Sequence, residues 1–230
     1  MKKILLTVVM AVALCFYVSG ASANGIVLNG TVDDFGTGFG NVSNILTLQN
    51  NGTEKGSILW NGTSDALTGD ASNTSKTWLF SDIVGKGITD ASQFGIVYNV
   101  NQQGNLGDTT LNSFTLQVYG PSGGSPVFET SDCPDCGPGF DPIENGTGGA
   151  GYLFVLDAQA QGFLATYFTN PDSFRLGATG DISLSNGGPE NFFFVKLSEA
   201  TKVPEPGTFL LLGVGLIGLA GAGRRRFKNR

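Results

Sequence analysis

Leu111-Asn-Ser-Phe-Thr-Leu-Gln-Val-Tyr119 decides the fold class. Phe114, Leu116 and Val118 fall on one side of an extended chain, and Thr115, Gln117 and Tyr119 on the other. That period of two marks a half-buried β-strand. Phe94-Gly-Ile-Val-Tyr-Asn-Val100 repeats it, with Phe94, Ile96, Tyr98 and Val100 sharing a face. Tyr152-Leu-Phe-Val-Leu156 and Asn191-Phe-Phe-Phe-Val-Lys-Leu197 are apolar on both faces, the pattern of central strands. Shorter candidates are Ile26–Leu28, Ile45–Leu48, Ser57–Trp60, Thr77–Phe80, Val127–Glu129, Phe174–Leu176 and Ile182–Leu184. Ala158–Tyr167 is the one stretch with room for a helical turn or two.

Between the strands lie turn residues. Asn-Gly occurs at Asn24, Asn29, Asn51, Asn61, Asn145 and Asn186, and suits the positive φ angles of tight hairpins. About ten short strands without alternating helices read as an all-β antiparallel sandwich or jelly roll. A β-helix would need a fixed-period repeat, and the chain has none.

The two ends are of another kind. Lys2 and Lys3 precede an apolar run from Ile4 to Val18, and Ala21-Ser22-Ala23 supplies the small residues of a signal-peptidase site, with Ala21 and Ala23 its key positions. Residues 1–23 are therefore expected to be a signal peptide, and Cys15 a plain hydrophobe within it. At the other end Pro204-Glu205-Pro206 leads into the uncharged run Gly207–Gly223, followed by Arg224, Arg225, Arg226, Lys228 and Arg230. Such a run makes a helix of roughly 25 Å, short but sufficient to span a bilayer with its basic end in the cytoplasm. The expected organisation is 1–23 signal peptide, 24–198 β-sandwich domain, 199–208 linker, 209–223 transmembrane helix and 224–230 basic tail.

An ordinary membrane anchor would account for this tail. Its three parts in fixed order also resemble the PEP-CTERM sorting signal of Gram-negative bacteria, carried by Pro204, Glu205, Pro206, Arg224, Arg225 and Arg226. The resemblance, confined to about residues 203–227, implies processing by exosortase, an integral membrane enzyme. It also implies delivery to the cell surface or polysaccharide matrix after a membrane intermediate. The same tail is sometimes filed as an ice-binding protein C-terminal domain, but the threonines form no flat array of the kind ice binding needs.

Charge narrows the partners. Between Asn24 and Pro206 six basic residues face all 19 acids, a formal −13. Such a domain has no electrostatic footprint for nucleic acid and repels anionic membrane surfaces; cations and neutral or cationic polymers, extracellular polysaccharide among them, suit it better. There is no histidine, which removes Ser-His-Asp and Cys-His catalysis, His-ligated zinc and the usual near-neutral base.

Cys133-Pro-Asp-Cys136 lies in a loop of glycine, proline and acids. Zinc would lack two ligands, and a redox role would need a following helix, so a disulfide formed outside the cytoplasm is the expectation. Asp132, Asp135, Asp141 and Glu144 in the same loop could hold calcium, although the spacing fits no EF-hand; otherwise they form a solvated acidic loop and no cofactor is needed. Trp60, Trp78, Tyr98, Tyr119, Tyr152 and Tyr167 are candidates for a sugar-stacking platform, or are packing. The expected role is non-enzymatic binding or display at the surface. The alternative is a carbohydrate-active hydrolase built on two carboxylates from Glu54, Glu129, Glu144, Glu190 and Glu199.

Overall fold

The computed structural model describes residues 25–32, 43–101, 108–143 and 150–197. In chain order its elements are β1 (Ile26–Val32), β2 (Ser43–Leu48), β3 (Gly52–Trp60), β4 (Asp65–Gly69), β5 (Trp78–Leu79), α1 (Phe80–Gly85), a 3₁₀ turn (Ala91–Gln93), β6 (Phe94–Asn99), β7 (Thr109–Tyr119), β8 (Phe128–Glu129), β9 (Pro138–Phe140), β10 (Gly151–Leu156), α2 (Ala158–Phe168), β11 (Arg175–Ser185) and β12 (Glu190–Lys196). The strands form two antiparallel sheets. The smaller runs β1-β10-β6-β12-β2 and the larger β4-β3-β11-β7-β8, with β5 on β11 and β9 on β7.

The pairings nest. Strand β2 pairs with β12, β3 with β11, β6 with β10 and β7 with β8. This is one long hairpin rolled up on itself, the connectivity of a jelly roll. The expected all-β antiparallel sandwich is therefore what the chain forms.

Leu46, Leu48, Ile58, Phe94, Ile96, Tyr98, Phe114, Leu116, Val118, Leu176, Ala178, Ile182, Phe192 and Phe194 belong to the buried core. At its centre the Phe192 ring stacks on Phe114 at 4.2 Å and on Tyr98 at 4.8 Å, joining the sheets. Each such fully buried ring contributes about 1.5–3 kcal/mol relative to exposure. Val97, Leu153 and Phe193, which alternate with core residues on interior strands, are buried too, in keeping with the doubly apolar sequences of β10 and β12.

Helix α2 runs three turns, longer than the sequence suggests. The Asp157 carboxylate starts it, accepting the Ala160 N–H at 2.7 Å and, through its other oxygen, the Gly25 N–H at 2.8 Å. Ala160 and Leu164 pack into the core, as do Phe80 and Ile83 of α1.

Several local expectations change. The expected strands Phe174–Leu176 and Ile182–Leu184 are, from Arg175 onward, parts of one strand, β11, because Gly177, Ala178 and Gly180 between them are inner-facing or close-packed positions where bulk is excluded. Strands β4 and β9 carry too few apolar residues to show as a pattern; β4 holds by backbone pairing with β3, and β9 by its pairing with β7 and by Phe140, which is buried against Tyr98, Tyr152 and Phe154. Asn61-Gly62 turns the β3–β4 hairpin, with the Asn61 side-chain oxygen accepting from Thr63 and Ser64 N–H. Asn29-Gly30 makes no turn; it is a bulge inside β1, with Gly30 at φ 134°.

The strands all lie within one unit, Met1–Lys196. A second unit, Leu197–Arg230, lies outside the described residues except for Leu197. So do residues 1–23 with Ala21 and Ala23, and the expected transmembrane run 209–223. Among the described residues no helix is long and apolar enough to cross a membrane.

Candidate binding face

The face of the larger sheet turned away from the core carries a connected set of polar side chains. Its hub is Gln117 on β7. The Gln117 side-chain oxygen accepts from the Tyr119 hydroxyl at 2.8 Å and from Thr179 Oγ1 at 3.3 Å. Its amide donates to Glu129 Oε1 at 2.9 Å, and Thr115 Oγ1 donates to the same oxygen at 3.2 Å. Strand register puts them in reach, since Gln117 opposes Gly177 on β11 and Glu129 on β8. Gly177 is required there: a Cβ would lie 2.4 Å from the Ile58 carbonyl oxygen and 3.0 Å from the Tyr119 ring.

Further along the face, Asp181 Oδ1 accepts from Asn112 Nδ2 at 2.7 Å and Asp181 Oδ2 from Lys55 Nζ at 2.9 Å. Ser183 Oγ donates to Asn112 Oδ1 at 3.3 Å. Partial burial works against ionisation of Asp181, but the Asn112 and Lys55 hydrogen bonds outweigh it and hold the carboxyl below the usual carboxylate range. At the Tyr119 end, burial first and the Glu129 charge second push the phenol up to about 12. One end of the face is thus closed and rigid, while Asn112 and Lys55 at the other are open to solvent. The array can present hydroxyl, amide and carboxylate groups to a polar ligand.

The sequence indicated only part of this face. Alternation in β7 placed Thr115, Gln117 and Tyr119 opposite the core. Thr179 and Asp181 fall between the two sequence fragments of β11, and Ser183 lies in the second without a pattern that marks its face. Asn112 is an extra residue in a bulge, opposite the register step between Asp181 and Ile182, and no periodic pattern marks it.

The candidate aromatics do not assemble into an exposed platform. Trp78 is buried edge-on against Phe194, with Lys76 Nζ 3.6 Å from its ring centroid. The Arg175 guanidinium covers a face of Trp60 at 4.3 Å, and the indole N–H donates to the Pro121 carbonyl at 3.3 Å. Tyr98 and Tyr119 are buried; Tyr152 packs edge-on against Phe140, and Tyr167 against Phe174. These rings anchor strands and helices because each buries a large apolar surface against its neighbours.

Cys133 and Cys136 form a disulfide, with Cα atoms 5.2 Å apart. The loop acids separate. Asp135 Oδ2 accepts the Leu28 N–H at 2.9 Å. Asp141 shares a carboxyl–carboxyl hydrogen bond with Asp108, which raises it above the usual range. Asp132 is exposed, and Glu144 lies outside the described residues. Among the described residues no three acidic or cysteine side chains gather as a metal-binding group. Two glutamates do converge. Glu54 and Glu190 meet through Ser185, and both are fully buried.

Residues 202–226 match the family model of the PEP-CTERM protein-sorting motif, so the chain carries that sorting signal. No curated protein and no solved structure matches the chain. The signal implies export, processing by exosortase, a membrane enzyme, and sorting to the surface of a Gram-negative bacterium. Pro204, Glu205, Pro206, Arg224, Arg225 and Arg226 all fall within the matched stretch and outside the described residues.

Proposed function

We propose that this exported protein is a non-enzymatic surface or matrix component that binds extracellular polysaccharide through the outer face of its larger sheet. The observation that carries the reading is a pair of hydrogen-bonded groups on one face, Thr115, Gln117, Glu129 and Thr179 in the first and Asp181, Asn112 and Ser183 in the second. Sugars present many hydroxyls, and a rigid row of paired donors and acceptors recognises them at low entropic cost. A formal charge of −13 between Asn24 and Pro206 selects neutral and cationic polymers over anionic ones.

Sorting fits this role, since exosortase processing releases the domain from its membrane tail where matrix polymers lie. The hydrolase reading draws on Glu54 and Glu190. Their closure from solvent leaves no approach for a glycosidic bond, which favours the binding role.

The test is co-sedimentation of the full-length chain with dextran, chitosan and alginate. Retention by dextran or chitosan, lost in an Asn112→Ala/Ser183→Ala double variant and absent with alginate, is expected. Undiminished retention of the variant, or sugar release abolished by Glu54→Gln, overturns the proposal.

A further inference from the structure

Asp141-Pro142 is the one Asp–Pro bond in the chain, and the fold gathers reactive groups around it. Strand β9 pairs with β7 so that Phe140 lies opposite Thr109, whose Oγ1 donates to the Phe140 carbonyl at 3.1 Å. The next step of this antiparallel register sets Asp141 beside Asp108, and their carboxyls hydrogen-bond to each other. The Tyr152 ring of β10 packs edge-on against Phe140 at 4.7 Å, which carries its hydroxyl to the Asp141 backbone. There the hydroxyl accepts the Asp141 N–H at 3.0 Å and donates to the Asp141 carbonyl oxygen at 3.1 Å. That carbonyl is the one joined to Pro142. Asp108 and Asp141 are both exposed, so water reaches the bond.

An aspartate can close a five-membered ring on its own carbonyl carbon, an attack made fast by proximity. The proline nitrogen carries no hydrogen and is more basic than an ordinary peptide nitrogen, so it leaves readily once protonated. We propose that the chain cleaves itself after Asp141 in mildly acidic surroundings: an Asp141 carboxylate oxygen attacks the Asp141 carbonyl carbon, Asp108 supplies the proton for the departing Pro142 nitrogen, and Tyr152 steadies the oxyanion.

The step balances. A bond forms from an Asp141 Oδ to the Asp141 carbonyl carbon, and the bond from that carbon to the Pro142 nitrogen breaks, leaving a cyclic anhydride and a proline amine. Water opens the anhydride, restores the side-chain carboxyl and leaves an α-carboxyl at the new chain end. The net change is one water added across the peptide bond. As negative charge gathers on the carbonyl oxygen, the hydrogen bond from the Tyr152 hydroxyl strengthens. Burial raises the Tyr152 phenol above its ordinary range, so the hydroxyl keeps the proton it donates. The two pieces stay together after cleavage, because β10 lies between β1 and β6, β11 between β3 and β7, and β12 between β6 and β2.

The carboxyl pair is competent only with a single proton between its members. With two protons there is no carboxylate to attack, and with none there is no acid for the leaving nitrogen. The rate therefore passes through a maximum in mild acid and falls on either side. The hydrogen bond to Asp108 holds Asp141 above the usual carboxylate range, which extends the single-proton window upward in pH. Among the described residues the titratable groups facing Asp141 are Asp108, just ahead of β7, and Tyr152 of β10. Tyr98 of β6 stands behind the Phe140 ring with its hydroxyl on Thr109.

The experiment incubates the purified full-length chain between pH 3 and 8 and follows it by denaturing gel and intact mass. A fragment that begins at Pro142 is expected, with a bell-shaped dependence on pH and an unchanged elution volume in native gel filtration. Asp141→Asn should abolish the fragment, Tyr152→Phe should slow it at least about tenfold, and Asp108→Asn should lower the maximum. Acid alone breaks Asp–Pro bonds slowly, so the urea-unfolded chain at the same pH supplies the background, which the folded chain should exceed at least about tenfold. An intact chain at every pH, or equal rates folded and unfolded, overturns the proposal. So does a wild-type rate in Tyr152→Phe with an unchanged urea midpoint. If that variant unfolds, Asp108→Asn on an exposed residue decides: a wild-type maximum there refutes the mechanism.

Discussion

Replacing Gln117 by leucine tests whether the Tyr119 end of the larger sheet's outer face is one connected structure. The amide joins three partners, and the loss is worked contact by contact. The Tyr119 hydroxyl is buried and donates to Gln117 at 2.8 Å, so removing the acceptor leaves it unsatisfied, at about 1–3 kcal/mol. The bond from Gln117 to the Glu129 carboxylate is partly exposed and adds about 1 kcal/mol. The Thr179 contact, at 3.3 Å, adds little. The sum, about 2–4 kcal/mol, is a large share of a typical stability of about 5–15 kcal/mol. Adding Tyr119→Phe to the leucine variant removes the orphaned hydroxyl and should restore about 1–2 kcal/mol. The assay is a double-mutant cycle in urea, read from transition midpoints at unchanged slope. Additivity within about 0.5 kcal/mol would refute the reasoning, since it would mean that the two side chains do not share a buried bond.

Other perturbations reach different parts of the structure. Phe192→Ala removes the ring between Phe114 and Tyr98 and should cost about 3–5 kcal/mol, against no more than half of that for Phe192→Leu, both read by urea unfolding. Gly177→Ala should destabilise the sheet strongly, because its Cβ meets the Ile58 carbonyl, which is backbone and cannot move aside; a thermal midpoint equal to wild type would contradict this. Asp181, held low by Asn112 and Lys55, contributes stability that is present above the unfolded carboxyl range and lost as pH falls through its folded value; Asp181→Asn should flatten that acid loss in pH-dependent melting. Tyr119 should titrate spectrophotometrically at about 12, and Glu129→Gln should move it down while burial keeps it above an ordinary tyrosine.

The sequence was most informative where side-chain alternation and burial coincide. Phe114, Leu116 and Val118 face the core as β7 predicts, and β10 and β12 are interior strands as their doubly apolar sequences imply. The reading thins where backbone bonds do the holding. Strand β4 has no apolar signature, the single buried ring of β9, Phe140, makes no pattern, and the glycines of β11 look like a break although they allow close packing. The convergence of Glu54, Ser185 and Glu190 was out of reach for another reason. These residues lie on three strands, and a bulge at Leu184 sets the direction of Ser185, so no local pattern joins them. The acidic loop shows the reverse error: neighbours in sequence, Asp135 and Asp141, take unrelated partners in space.

The Asp135 contact with β1 has a consequence for the order of events in the protein's life. Strand β1 is an outer edge of the smaller sheet, and the Leu28 N–H there bonds to Asp135 instead of to another strand. Asp135 sits between the two cysteines of the disulfide, so the guard on that edge is tethered only once the thiols have oxidised. Reducing cytoplasm does not permit that. Until export the edge lacks its fastened cover, and an uncovered edge invites a strand from a second molecule. Closing the disulfide and covering this edge of the sheet are thus coupled through Asp135.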